Sequence, residues 1–386
     1  MSDDDSDDDL PPFSNLRQDT GIFEHDDDSM QTSRYTLTTR TLKAGDVSSP
    51  SGSRDPVHLD LAPLKTTADF IFMLDKLKVP GPLTITEALD SSHQIGMGGQ
   101  FTVYWNEMLD DSDCSNQTWL DGVAVKKCKF EDVEESQTLD LSSQKYRGQV
   151  HDMQLEVAAL QDFRLRDHPN IVKLIGYGVE LRTWHETPFL VMPLALKDLT
   201  GILKDQIPQR VLHQLLLGIG YGLDAIHDCR IIHGDLKPDN VLVFETFFES
   251  MPLIAKLADF GLSLDEVNTA NGGSVLISGY SAGWAAPEVV QAFHHKSFIP
   301  IATLLSSDRF SFGLLLLSAF CYKGKVPPAD SYRTVENLHD TIAKMPTTFS
   351  ELLESSLPLI LHQTPELRPE RIGDILQDKT EACLVW

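Results

Sequence analysis

Basic residues are scarce: 32 Lys and Arg stand against 57 Asp and Glu in 386 residues, a formal net charge of −25. A surface of that sign repels phosphate backbones, so no nucleic-acid partner is expected. Cysteine is sparse as well. Cys114, Cys128, Cys229, Cys321 and Cys383 are odd in number, far apart and without a Cys-x-x-Cys pair. That pattern argues against a disulfide framework and a zinc site, and favours a reducing compartment. Long hydrophobic runs are missing too. The longest, Phe310 to Tyr322, falls short of the roughly 20 residues of a bilayer span, and no apolar segment follows a basic start at the N-terminus. The expectation is an intracellular protein, cytoplasmic or nuclear, with no signal peptide or transmembrane helix.

What is present suits a globular enzyme. Hydrophobic residues make up 41% and charged residues 23%, and the length fits one large two-lobed domain with a tail. Residues 1–30 hold ten Asp and one Glu against one Arg. Like-charge blocks of this kind followed by a Ser/Thr-rich run favour disorder, so residues 1–56 are expected to form an acidic tail that could dock on a basic partner. Residues 57–84 form an N-terminal extension in which Ala68 to Leu77 predicts a short amphipathic helix. The catalytic domain is expected over 85–380. Its first part, 85–192, predicts strands at Phe101–Trp105, Gly122–Cys128, Ile171–Val179 and Phe189–Met192 with one helix at Gln149–Phe163. Its second part, 196–380, is mostly helical (Val211–His227, Arg309–Tyr322, Phe349–His362), with short strands at Val241–Phe244 and Ala255–Leu257. The polar stretches Asn106–Asp121 and Lys129–Gly148 read as surface insertions.

Several segments carry chemistry. Ile95-Gly96-Met97-Gly98-Gly99-Gln100-Phe101-Thr102-Val103 puts glycines where two strands would turn, letting backbone amides approach phosphate oxygens. An unliganded hairpin would use the same glycines. Thirty residues after Gly96, Lys126 ends the apolar strand Val123-Ala124-Val125-Lys126, where a point cation can hold phosphates. Glu156, in the helical pattern around Leu155 and Ala159, is a candidate partner for it; a solvated glutamate is the bland alternative. The most specific segment is His233-Gly234-Asp235-Leu236-Lys237-Pro238-Asp239-Asn240. Here Asp235 can accept a hydroxyl proton, Lys237 can steady a phosphoryl group and Asn240 can offer an oxygen to magnesium. Nineteen residues on, Asp259-Phe260-Gly261 offers a second metal carboxylate.

Together these motifs resemble the signature set of the eukaryotic protein kinase superfamily from about Ile95 to Pro369. His168-Pro169-Asn170, Ala286-Pro287-Glu288, Asp308 and Arg368 add to the likeness. The resemblance implies an α+β fold with a small β-rich lobe and a larger helical one, ATP and Mg2+ as cofactors, and a protein substrate. Asp235, Lys237 and Lys126 would be the catalytic residues, with Asn240 and Asp259 holding the metal. ATP would be lined by Ile95, Gly96, Met97, Gly98, Gly99, Val103, Ala124, Lys126, Glu156, Met192, Leu194, Asn240 and Asp259, with Leu190–Ala195 as the hinge and Met192 as gatekeeper. Glu288 and Arg368 would pair to anchor the activation segment, and Asp308 would brace the catalytic loop. Lys237-Pro238, with Ser281 ahead of Ala286-Pro287-Glu288, implies serine/threonine specificity.

Two departures stand out. Phe101 takes the place of the third glycine, and Gly234 replaces an arginine that in the family binds a phosphorylated activation loop, so activity is expected not to wait for phosphorylation of Ser274, Ser278 or Ser281. The altered motifs keep two alternatives open, a pseudokinase scaffold and a small-molecule phosphotransferase of the same fold.

Overall fold

The structure, a computed structural model, describes residues 64–85, 89–97, 101–107, 122–129, 146–181, 186–261, 264–265, 273–277, 279–344 and 349–378. The acidic tail, both insertions in their larger part, Gly98 and Gly99 lie outside them. The described residues all belong to the unit Ser49–Trp386.

The first element is a helix, α1 (Thr67–Lys76). A reciprocal capping box starts it, the Asp69 amide donating to Thr66 Oγ1 at 3.2 Å and the Thr66 amide to Asp69 Oδ2 at 2.9 Å. Its inner face buries Phe70, Met73 and Leu74. Strands β1 (Gln94–Met97), β2 (Phe101–Asn106) and β3 (Val123–Cys128) follow, then helix α2 (Arg147–Gln161) and strands β4 (Gly176–Leu181) and β5 (Glu186–Pro193). They form an antiparallel sheet in the order β1-β2-β3-β5-β4.

The alternation of the sheet decides which side chains meet. Tyr104, Val123, Val125, Phe189 and Val191 fill a small cluster on one face. Phe101, Val103, Ala124, Lys126, Cys128, Leu190 and Met192, each one residue out of phase, therefore share the other face. There α2 contributes Val150, Met153, Val157 and Leu160 to the main core, which α1 joins through Phe70, Met73 and Leu74.

The second lobe begins with β6 (Lys197–Asp198), α3 (Leu199–Ile202) and the long α4 (Gln209–Asp228). Next come β7 (Ile231–Ile232), β8 (Val241–Glu245), β9 (Leu253–Leu257), β10 (Leu264–Asp265) and β11 (Ser274–Leu276). The remainder is α5 (Pro287–His295), β12 (Phe298–Pro300), α6 (Ile301–Leu317), α7 (Val335–Ala343), α8 (Ser350–Ile360) and α9 (Ile372–Asp378). This is the two-lobed α+β architecture expected from the motifs.

Two observations revise the sequence reading. Helix α6 starts at Ile301, well before Arg309, and continues as a π-helical turn over Ser318–Tyr322. The whole segment Ile301–Tyr322 is long and apolar enough by composition to cross a bilayer. Shortness is thus no argument against a span; most of the segment is instead buried inside the lobe. Second, Ile171–Val179 is a strand only from Gly176, the preceding residues making one parallel bridge between Ile171 and Leu257. The segment after the catalytic loop, Phe244 to Pro252, closes the β8–β9 hairpin at the surface, with Phe247 and Phe248 exposed at its tip.

Candidate active site

Lys126 is fixed from three sides. Its position on β3 points it away from Val123 and Val125, under α2, where Glu156 is 1% exposed and Nζ meets Oε2 at 2.7 Å. Asp259 Oδ1 accepts from the same nitrogen at 2.8 Å. The Phe101 ring covers it with its centroid 4.6 Å away. Burial alone would lower the Lys126 pKa, but the charges of Glu156 and Asp259 outweigh it and hold the ammonium well above the ordinary lysine range. For Glu156 burial dominates and pushes the carboxyl up, with Lys126 opposing. For Asp259, burial pushes up but the Lys126 charge and hydrogen bond win and hold it below its usual value.

Asp259 follows β9 in left-handed backbone with φ 61°, a conformation Asp tolerates better than most residues. The strand that delivers it is tied to the loop after α2: the Leu257 amide donates to the Asn170 carbonyl at 2.8 Å, and Asn170 Nδ2 to the Ala255 carbonyl at 2.9 Å. The Glu156 helix and the Asp259 strand are in this way held in one frame.

The catalytic loop hangs from α6. Asp308, 2% exposed, accepts from the backbone amides of His233 at 2.7 Å and Gly234 at 3.0 Å, and lies 3.0 Å from His227 Nε2. Gly234 adopts φ 78°, in the region that favours glycine. The missing arginine therefore has a backbone counterpart: at this bend a side chain would be strained. His233 lies 3.1 Å from the Ala258 carbonyl through Nε2 and its ring sits 5.1 Å from that of the fully buried Phe260.

Beyond that bend, Asp235 Oδ2 accepts from Lys237 Nζ at 2.7 Å and from Asn240 Nδ2 at 3.0 Å. Lys237 also donates to Ser281 Oγ at 2.8 Å. Asp235 Oδ1 is buried without a hydrogen-bond partner. One carboxylate oxygen is thus held in place while the other, though covered, keeps its lone pairs unspent, an acceptor for a hydroxyl once it is uncovered. Asn240 spends its amide nitrogen on Asp235 and leaves its amide oxygen for a cation.

The residues fit a triphosphate nucleotide with magnesium on that chemistry. Among the described residues no group of three His, Cys, Asp or Glu gathers to hold a metal. A cation bound by the Asn240 oxygen and one Asp259 carboxylate, completed by phosphates and water, is how magnesium is commonly held. On the opposite wall Ala124 pairs with Met192 across β3 and β5, Met192 is buried, and Val103 and Leu194 are half-buried. Gly96 lies between the exposed side chains of Ile95 and Met97 on β1.

The activation segment is anchored at its end and again part-way along. Arg368, with its side chain fully buried, donates to both Glu288 carboxylate oxygens, at 2.5 and 3.0 Å, and to the carbonyls of His362 and Ser306. Earlier in the segment, β11 pairs antiparallel with β12 through Ser274–Pro300, Val275–Ile299 and Leu276–Phe298. Sequence reasoning reached Glu288, Arg368 and Asp308. It missed the Phe101–Lys126 contact, although in-phase positions on paired strands could have signalled it, and the β11–β12 ladder, which has no motif.

A family profile described as protein kinase domain matches residues 91–379, and the chain belongs to the protein kinase family. Among its relatives are the inactive tyrosine-protein kinase kin-32 of Caenorhabditis elegans (31% identical, covering 58% of this chain and 22% of the relative) and the membrane-associated tyrosine- and threonine-specific cdc2-inhibitory kinase of Drosophila melanogaster (30%, covering 47% and 31%). A third is the human receptor-interacting serine/threonine-protein kinase 3 (25%, covering 75% and 51%). The chain spans about a fifth to a half of the length of these relatives.

Proposed function

We propose that this chain is an ATP- and magnesium-dependent protein serine/threonine kinase, with Asp235 as the base. The observation that carries this reading is the divided Asp235 carboxylate, one oxygen restrained by Lys237 and Asn240 and the other an unpartnered acceptor. In this mechanism Asp235 Oδ1, once uncovered for substrate, accepts from the substrate hydroxyl, orients the attacking oxygen and takes its proton as the phosphoryl group transfers. Lys237, shared with Ser281, supplies a fixed positive charge beside the transferring group, and Lys126, held by Glu156 and Asp259, is the cation on the side of the α- and β-phosphates. Magnesium, when bound by Asn240 and Asp259, neutralises charge on the phosphates. Most of the rate enhancement comes from positioning and electrostatics.

The serine/threonine preference rests on Lys237 and its contact with Ser281. Independence from activation-loop phosphorylation is part of the reading: Gly234 offers no guanidinium to a phosphate, and the β11–β12 ladder supports the segment by backbone bonds instead. The reading also includes residues 85–380 as the catalytic domain behind an acidic tail that docks on basic partners, and an intracellular setting, consistent with the buried thiols of Cys128 and Cys321.

A second reading, a pseudokinase scaffold, is favoured by one observation, the Phe101 ring over Lys126. Transfer of labelled γ-phosphate to protein, with magnesium, separates the two. Transfer to Ser or Thr that disappears in Asp235→Asn supports the kinase; equal background in both proteins refutes it.

A further inference from the structure

Phe101 is the place where this site departs furthest from its motifs, and its position follows from strand geometry. Phe101 pairs with Cys128 and Val103 with Lys126 between β2 and β3. Phe101 is therefore the diagonal neighbour of Lys126 on the same face of the sheet, within reach of an aromatic ring. The ring is half-buried and packs on the main core, so it is held there by more than its cationic neighbour. An ammonium group has three N–H directions. Glu156 at 2.7 Å takes one, Asp259 at 2.8 Å a second, and the ring at 4.6 Å covers the remaining side. The cation expected to hold phosphates is fully engaged before any phosphate arrives.

We propose that Phe101 is a specificity-determining residue whose ring occupies the phosphate-side approach to Lys126, so that this pocket holds nucleotide mainly through adenosine and grips the triphosphate weakly. The proposal rests on the reading of the site as an ATP pocket. It commits to a difference between ligands: phosphates gain little over adenosine in the native chain, and removing the ring restores the gain. Adenosine does not reach Lys126 and is indifferent to the change.

The test is isothermal titration of the full chain with adenosine, and with ATP in the presence of magnesium, comparing the native protein with Phe101→Gly. The expected result is ATP binding about 10-fold tighter in the variant, equivalent to about 1.4 kcal/mol, a gain of the size of one partly desolvated cation–π contact. Adenosine affinity should move less than about twofold, within roughly 0.4 kcal/mol. Phe101→Leu, which keeps bulk but removes the aromatic face, should gain less than Phe101→Gly. Phe101→Ala replaces the glycine variant if the start of β2 does not tolerate it, with the same ratio of ATP to adenosine affinity as readout. An unchanged ratio in a folded variant that still binds both ligands overturns the proposal and leaves the ATP-pocket reading standing. Failure of the native chain and the variants to bind either ligand overturns both.

Discussion

Removing the Glu288 carboxylate tests how the activation segment is anchored. Glu288→Ala leaves the Arg368 guanidinium, whose side chain has no solvent exposure, without its counter-charge. It would keep only the backbone acceptors of His362 and Ser306 and the Phe310 ring, 4.8 Å from the guanidinium carbon. Breaking one side of a buried ion pair costs about 3–5 kcal/mol. For a domain of this size each kcal/mol lowers the melting midpoint by about 2–4 °C, so the expected fall is about 6–20 °C by circular dichroism. Glu288→Gln keeps an acceptor oxygen and should cost about half as much. The double variant Glu288→Ala/Arg368→Ala should be less stable than Glu288→Ala by much less than Arg368→Ala alone costs, since the two groups act as one unit. A fall below about 2 °C in Glu288→Ala, or additive losses in the double variant, would refute the view that this pair is a coupled anchor.

Four further outcomes are expected. Asp308→Asn replaces one acceptor oxygen facing the His233 and Gly234 amides by a donor, and should cost about 1–3 kcal/mol in thermal melts and lower kcat; an unchanged melt would contradict the bracing role. Burial holds the His213 imidazole, stacked 4.6 Å from Phe349, below its usual pKa. The unfolded chain then takes up a proton first as pH falls. The stability His213 contributes is present above about 6.5 and lost as pH drops through the lower folded value. The melting midpoint of the native protein relative to His213→Phe should accordingly be flat from pH 8 to 7 and decline below about pH 6.5, and a difference that grows on acidification would reverse the sign. Ser274→Ala should keep phosphotransfer within about twofold, because backbone pairing holds β11; complete loss would restore a role for phosphorylation there. Ser281→Ala should lower kcat about 10-fold by freeing Lys237, a charged hydrogen bond being worth about 1.5–3 kcal/mol, while Ser281→Thr should retain activity.

The sequence was most legible where periodicity and chemistry coincide. The apolar run Val123-Ala124-Val125 ahead of Lys126 marks a strand ending in a lysine, and β3 covers Val123–Cys128. The helix predicted at Ala68–Leu77 lies at Thr67–Lys76, and that at Val211–His227 lies at Gln209–Asp228. Helix α6 was cut short because Ser306, Ser307 and Asp308 break its apolar run, yet all three are buried: Asp308 serves the catalytic loop, Ser306 donates to the Pro365 carbonyl and Ser307 to that of Leu304. Polarity at those positions reports internal hydrogen bonding, which a solvent-facing interpretation misses. Helices α5 and α7 are short and were not anticipated, although Pro287 at the first turn of α5 is a start signal. Gly234 was read through the side chain it lacks; the φ of 78° that suits glycine is a property of the bend, which no neighbouring residue announces.

The β11–β12 ladder has a consequence for how this segment can vary. Main-chain hydrogen bonds are the same whatever side chains the strands carry, so pairing alone asks little of the residues involved. Ser274 is only half-buried and Leu276 is exposed, whereas Val275 and Ile277 pack against the core. Substitutions should therefore accumulate freely at 274 and 276 and be confined to apolar residues at 275 and 277. This part of the activation segment would drift with a two-residue rhythm, tolerant on one face and constrained on the other.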